Sequence, residues 1–248
     1  MYLKNKKIVV TGASKGLGLG IVTRLAKEGA DIIAHYHSGD ISEVKQIAER
    51  ADVSFQAFRA DLSNEAETLE LAEKITGCGE IYGLVNNAGV CFFEEFFDIT
   101  PESYDLTFAI NVKSMFLLTQ QITKHMVENG VKGRVVNFSS IVSEAGGVLQ
   151  THYGAAKGAV NAFTKSTAVA LGPYGITVNA ILPGPIPTKH NSEFLLDDVV
   201  KNSVLERMAL GSFGEAAHIA DIAVYLLGEH ASWTTGSLLT VDGGFLCK

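Results

Sequence analysis

No stretch of the 248 residues approaches the roughly 18 consecutive apolar residues that a membrane-spanning helix requires. The run Ile8-Val9-Val10, which follows Lys4, Lys6 and Lys7, is too short for the hydrophobic centre of a signal peptide. Cysteine is scarce. Cys78, Cys91 and Cys247 are odd in number, far apart and without a CxxC pair, which fits reduced thiols in a cytoplasmic protein rather than a disulfide framework. No group of histidines, cysteines and carboxylates has metal-ligand spacing, so no metal is expected. Basic residues are outnumbered 20 to 27, for a net charge of −7. The short Lys4, Lys6, Lys7 group reads as a solvated terminus, so a nucleic-acid groove is excluded. The 25 glycines have no three-residue period, which excludes a collagen-like chain. Asn137-Phe138-Ser139 matches a glycosylation sequon but lies inside an apolar run, where chance explains it.

With 47% hydrophobic and 19% charged residues, the composition is that of an ordinary globular chain, and the length suits one α/β domain over residues 1–248. Seven apolar, β-branched runs recur: Lys7–Val10, Asp31–Ala34, Phe55–Ala60, Ile81–Val85, Gly133–Phe138, Ile176–Leu182 and Ser237–Val241. Most lack period-two alternation, as expected of strands buried on both faces of a parallel sheet. Helical patterns lie between them. Leu17, Ile21 and Leu25 share one face, with Gly29 as the residue after that helix. Thr100-Pro101-Glu102 reads as an N-cap followed by proline at the first helical position. The rhythm predicts a doubly wound parallel sheet. From about Gly184 to Gly211 the rhythm breaks, and that segment is expected to be an irregular excursion that covers a substrate.

The first run leads into Thr11-Gly12-Ala13-Ser14-Lys15-Gly16-Leu17-Gly18 and then a helix. Glycines at such a junction let the backbone approach a diphosphate, and the helix N-terminus offers free N–H groups and a positive dipole end. Further groups follow in order: Asn86-Asn87-Ala88-Gly89 after the fourth run, Asn111-Val112 in a helical stretch, and Ser140 thirteen positions before Tyr153. Tyr153-x3-Lys157, Pro183-Gly184 with Ile186 and Thr188, and Val241-Asp242-Gly243-Gly244 complete the set.

The pattern Gly12-x3-Gly16-x-Gly18, with these groups in this order over essentially the whole chain, resembles the short-chain dehydrogenase/reductase family. The resemblance implies a Rossmann-type sheet of seven strands, a nicotinamide cofactor, and Asn111, Ser140, Tyr153 and Lys157 as catalytic residues. Physical chemistry agrees. Residues 153 and 157 share one helix face. A free tyrosine titrates near 10, and a neighbouring ammonium lowers that value. Tyr153 would exchange a proton with the substrate oxygen, Ser140 would orient that oxygen, Lys157 would hold the nicotinamide ribose, and Asn111 would hold a water beside Lys157. Ser139 should point away from Ser140 by strand alternation. The SxxK match at Ser42–Lys45 lies in a surface helix without its companion motifs and is set aside.

By the same resemblance, Gly12, Ser14, Lys15, Gly16, Leu17, Gly18, Asp61, Leu62, Asn87, Ala88, Gly89, Pro183, Gly184, Ile186 and Thr188 would line the cofactor site with Tyr153 and Lys157. An acid about 20 residues past the glycines marks NAD preference. That position aligns with Tyr36, so the acid is absent, and Lys15, His37 and Ser38 suit a 2′-phosphate. NADP is therefore expected, with NAD as the other option, although no arginine follows the second strand. Cys91-Phe92-Phe93, Gln150-Thr151-His152 and the Ala170–Gly175 stretch are similar to the L-rhamnose and aldose dehydrogenase branch, which oxidises the anomeric hydroxyl to a lactone. Cys91, Gln150, His152, Lys189, His190 and Asn191 would meet such a sugar, and Phe92, Phe93, Phe96 and Phe97 would line the site or simply pack. The pattern is equally like 3-oxoacyl-(acyl carrier protein) reductases, and a general ketone reductase or a non-catalytic nucleotide binder stays open. The family implies a homotetramer.

Overall fold

The computed structural model describes residues 2–188, 191–195 and 197–248. In chain order its elements are β1 (Lys7–Val10), α1 (Gly16–Lys27), β2 (Asp31–Tyr36), α2 (Ser42–Arg50), β3 (Phe55–Arg59), α3 (Glu65–Thr76), β4 (Gly83–Asn86), α4 (Pro101–Phe108), α5 (Ser114–Glu128), β5 (Arg134–Phe138), α6 (Val142–Ala145), α7 (Thr151–Leu171), β6 (Thr177–Pro183), α8 (Ser192–Leu195), α9 (Asp198–Arg207), α10 (Ala216–Leu227) and β7 (Leu238–Val241). Each of the seven apolar runs forms a strand, with ends displaced by one or two residues, the usual ambiguity of strand termini. All strands pair in parallel, in the order β3-β2-β1-β4-β5-β6-β7. Val9, Val10, Ile33, Leu84, Val136 and Ile181 are fully buried or nearly so, because helices cover both faces of the sheet. The order reverses between β1 and β4, and there the strand ends open a crevice for a ligand.

Local signals act as expected in α1 and α4. Gly29 follows the α1 cap with φ +80, and the Thr100 hydroxyl accepts the Ser103 N–H at 3.1 Å with Pro101 at the first turn. Asn64 caps α3, accepting from the N–H groups of Ala66 and Glu67, while neighbouring Ser63 donates to Asp61. One reading changes. The excursion after Gly184 is partly helical: Asp197 caps α9 through the N–H groups of Val199 and Val200. Lys189 and His190 lie outside the described residues.

Candidate active site

The glycine turn is built by close approach. Gly12 and Gly16 have φ +65 and +56, a region that disfavours side chains. A Cβ on Gly18 would stand 2.1 Å from the Gly12 carbonyl oxygen and 2.7 Å from the Asn87 amide nitrogen. Asn87 closes the turn from β4, donating to the carbonyls of Thr11 (2.8 Å) and Gly12 (3.2 Å), while the Thr11 hydroxyl accepts the Asn87 and Ala88 N–H groups. Lys15 caps α1 with no side-chain hydrogen bond, and the first α1 bond to it comes from Leu19 N–H. The N–H groups of Gly16, Leu17 and Gly18 therefore precede the intrahelical ladder and suit a diphosphate. Thr188 reaches this turn from β6, its methyl 3.8 Å from the position of a Gly16 Cβ. Gly184 lies so close to Asp242 that a Cβ would sit 2.5 Å from its Cα. Ile186 is buried.

The residues expected at the adenosine end lie at the ends of β1, β2 and β3. The β2–α2 loop packs on the glycine turn, where a Gly39 Cβ would lie 2.3 Å from the Ser14 hydroxyl. Lys15, His37 and Ser38 are exposed there. Asp61 sits at the rim, its carboxyl held below the usual range by two hydrogen bonds from Ser63 and offset in part by burial. Leu62 turns its side chain into the core, so it offers a ligand only backbone. Sequence reasoning missed Arg59. Its Nε donates to the His37 carbonyl at 2.9 Å, which puts a guanidinium beside the β2 tail where no arginine is found in sequence. Only the strand register brings it there, since Arg59 pairs with Tyr36, the last residue of β2.

The residues expected to react gather at the ends of β4 and β5 and the start of α7. Lys157 Nζ stands 5.5 Å from the centre of the Tyr153 ring and donates to the Phe138 carbonyl at 2.8 Å. Ser139 points the other way, donating to the Lys157 carbonyl at 3.0 Å, whereas Ser140 hydrogen-bonds the Tyr153 phenol. Asn111 occupies a π-helical turn, Ala109–Lys113, between α4 and α5; such turns recur at functional sites. Its amide nitrogen donates to the carbonyls of Val90 and Thr107, both at 2.9 Å, and its buried Oδ1 has no hydrogen-bond partner. A Cβ on Gly89 would lie 2.6 Å from that oxygen and 3.5 Å from Lys157 Nζ, so the orphaned acceptor and the ammonium face the same small space. Burial draws Lys157 down from 10.5 to about 8, partly offset by the Cys91 thiol. Burial raises the Tyr153 phenol well above 10, Cys91 adds to this, and Ser140 opposes it.

Cys91 thus belongs to the reacting end, and Gln150 Nε2 donates to its sulfur at 2.9 Å. His152, on the other side of α7, is buried against Phe92 and lies 3.4 Å from Glu94, while Glu94 also takes a hydrogen bond from Ser103. Asn191 has both amide ends engaged: Oδ1 accepts from the Thr188 N–H and hydroxyl, and Nδ2 donates to the Ile186 carbonyl. It therefore pins its own loop. Phe96 and Phe97 are largely exposed and lie edge to face.

A family model described as enoyl-(acyl carrier protein) reductase matches residues 12–246. The chain belongs to the short-chain dehydrogenase/reductase family. It is 38% identical over 246 residues, 98% of this chain and 97% of the relative, to an L-rhamnose 1-dehydrogenase (NADP(+)) of Thermoplasma acidophilum. It is 36% identical, over 99% of this chain and 96% of the relative, to a 2-dehydro-3-deoxy-D-gluconate 5-dehydrogenase of Bacillus subtilis. A solved Agrobacterium tumefaciens structure with bound NADP, described as a 2-deoxy-d-gluconate 3-dehydrogenase, superposes with TM-score 0.93 at 32% identity and covers 99% of this chain and 98% of that one. The family makes the chain an NAD(P)-dependent oxidoreductase of CH–OH groups.

Proposed function

We propose that the chain oxidises an aldose of the L-rhamnose type at its anomeric hydroxyl to the lactone, with NADP preferred and NAD accepted. The observation that carries the substrate reading is the full-length similarity to an L-rhamnose 1-dehydrogenase (NADP(+)). The cradle fits a nicotinamide dinucleotide on structural grounds. A Cβ would fill the turn at Gly18, the first N–H groups of α1 face the crevice, and the Asn111 oxygen is orphaned beside Lys157. Gly12–Gly18, Asn87–Gly89 and Pro183–Thr188 would hold the nucleotide, and Lys15, Arg59, His37 and Ser38 would face a 2′-phosphate. When bound, the nicotinamide ring supplies a hydride acceptor.

The remaining chemistry belongs to the chain. Ser140 Oγ donates to the anomeric oxygen and fixes its position. The Tyr153 oxygen takes the proton of that hydroxyl as the C1–H bond breaks, leaving a lactone carbonyl. Lys157, charged below about pH 8 and 5.5 Å from the ring centre, would favour the phenolate against the burial that raises the phenol, and the proton Tyr153 gives up would leave by way of Lys157 towards a water on Asn111 Oδ1. Cys91 and Gln150 would border the sugar, and the 184–211 segment would cover it.

A cytoplasmic homotetramer is part of the proposal. No helix among the described residues is long and apolar enough to cross a membrane. Phe116, Phe163, Leu171 and Tyr174 line an apolar groove between α5 and α7, and Trp233 before β7 is 98% exposed, as faces awaiting like chains would be. Light scattering checks the assembly. The activity test is the initial rate of NADP⁺ and NAD⁺ reduction with L-rhamnose and an aldose panel, with Tyr153→Phe as the blank. Turnover should fall about a thousandfold in that variant, within the usual range for a lost acid–base group. Reduction of acetoacetyl thioesters by NADPH without any aldose oxidation would overturn the sugar reading. An absence of both activities would favour a non-catalytic nucleotide binder.

A further inference from the structure

His35 on β2 is 2% exposed and touches none of the reacting groups. Its ring spans two neighbouring strand ends. Nδ1 accepts the Gly12 N–H at 3.2 Å, and Nε2 lies 3.1 Å from the Ala60 carbonyl oxygen. Its own carbonyl accepts the Ala13 N–H at 2.9 Å. Gly12 N–H can only donate and the Ala60 carbonyl can only accept. The ring is thereby fixed as the neutral tautomer with its hydrogen on Nε2. A second proton would place an N–H at Nδ1 directly against the Gly12 N–H.

Resting on the nucleotide reading above, we propose that His35 is a positioning residue that holds the Gly12 end of the glycine turn in its nucleotide-binding shape only while its ring is neutral, so that nicotinamide-dinucleotide affinity is lost in acid. The geometry singles out this histidine because the bond it makes is to the first glycine of the turn, whose position sets the path of Ala13 to Gly18. Burial pulls its titration below 6.5, the Ala60 carbonyl offsets part of this, and His37 adds to the pull. The other charged groups near these strand ends are Lys15 on the turn, Arg59 at the end of β3, Asp61 beyond it, and Glu67 on α3, whose carboxylate accepts the Asp61 N–H. They lie at or near the rim, and His37 is the one that registers at the ring. A histidine buried neutral contributes stability that is complete above pH 6.5 and is lost as pH falls through its lowered value. Affinity and folding must therefore be read separately.

The experiment measures Kd by calorimetry for NAD⁺ and NADP⁺ between pH 8 and 5.5, with melting curves at each pH, on the wild type, His35→Asn and His35→Leu. NAD⁺ is the decisive probe, because a phosphate monoester such as the 2′-phosphate titrates near pH 6 in its own right. Asn keeps an amide oxygen for Gly12 and does not titrate. The wild-type NAD⁺ affinity should weaken several-fold towards pH 5.5, while that of His35→Asn stays flat across the range. His35→Leu, with no acceptor for Gly12, should bind about tenfold more weakly at every pH. A wild-type affinity that ignores pH, or a His35→Asn variant that follows the wild type, would overturn the inference. A wild type that melts normally at pH 8 but binds neither nucleotide would overturn the nucleotide reading and this inference with it.

Discussion

The cofactor side and the substrate side of the crevice are built in opposite ways. From β1 to β3 the crevice presents backbone: glycine turns, the first N–H groups of α1, and strand ends locked by Thr11, Asn87 and His35. On the substrate side, the loop after β4, the start of α7 and the segment after Gly184 present side chains, and many of these are spent on one another. Gln150 holds Cys91, His152 packs on Phe92 beside Glu94, and Asn191 holds Ile186 and Thr188. Backbone recognition demands particular residues, above all glycine, at fixed intervals. Side-chain recognition tolerates many residues, so its sequence signal is weak.

The largest effect should come from closing the backbone cradle. In Gly18→Ala the new methyl would meet the Gly12 carbonyl at 2.1 Å, so the variant should lose about 3 kcal/mol of stability and bind no nucleotide. Gly158→Ala, where a Cβ meets nothing within 4 Å, should stay within about 1 kcal/mol of the wild type. Denaturant melts and calorimetry check both. Equal behaviour of the two variants would break the contrast.

Lys157 has the next largest effect, with opposite signs for stability and activity. Its titration falls from 10.5 unfolded to about 8 in the folded chain. Below pH 8 both states hold the proton, and the folded state carries the full cost of burying it. Between pH 8 and 10.5 the unfolded chain binds more protons, so this site makes stability rise with pH across that window. Lys157→Met should therefore gain up to about 3 kcal/mol at pH 7, an order-of-magnitude conversion of that shift, while turnover collapses. A melting temperature that falls with the activity would show that the buried ammonium stabilises the fold through its bond to Phe138.

The fold was legible in the sequence because strands buried on both faces are largely apolar, as in β1 and β4, and even the half-buried edge strands β3 and β7 lie in runs rich in apolar residues. The proposed catalytic residues stood out in the sequence because they lie at strand ends and on one helix face at fixed separations. What escaped notice depended on neighbours distant in sequence. Arg59 reaches His37 only because β2 and β3 pair in register. The same cross-strand logic gives a sharper test of the adenosine end. Lys15→Ala and Arg59→Ala should each lower the NADP⁺/NAD⁺ preference about tenfold, the worth of one charge-assisted phosphate contact, and leave NAD⁺ kinetics unchanged. A ratio unmoved by either substitution would detach these cations from the 2′-phosphate.

The smallest effect tests whether the substrate side is held by its own side chains. Asn191→Ala removes two hydrogen bonds to Thr188 and one to Ile186 in a half-buried loop. Were Asn191 a sugar ligand, its loss would fall on transition-state binding and lower kcat/KM for the sugar alone. As a loop pin, it should cost about 1 kcal/mol of local order. Sugar and nucleotide KM should then rise together by a few fold, because Thr188 borders the glycine turn while its loop continues over the substrate. Parallel shifts in both constants, with kcat held, separate a pinned loop from a direct contact, and a shift in the sugar constant alone would return Asn191 to the substrate.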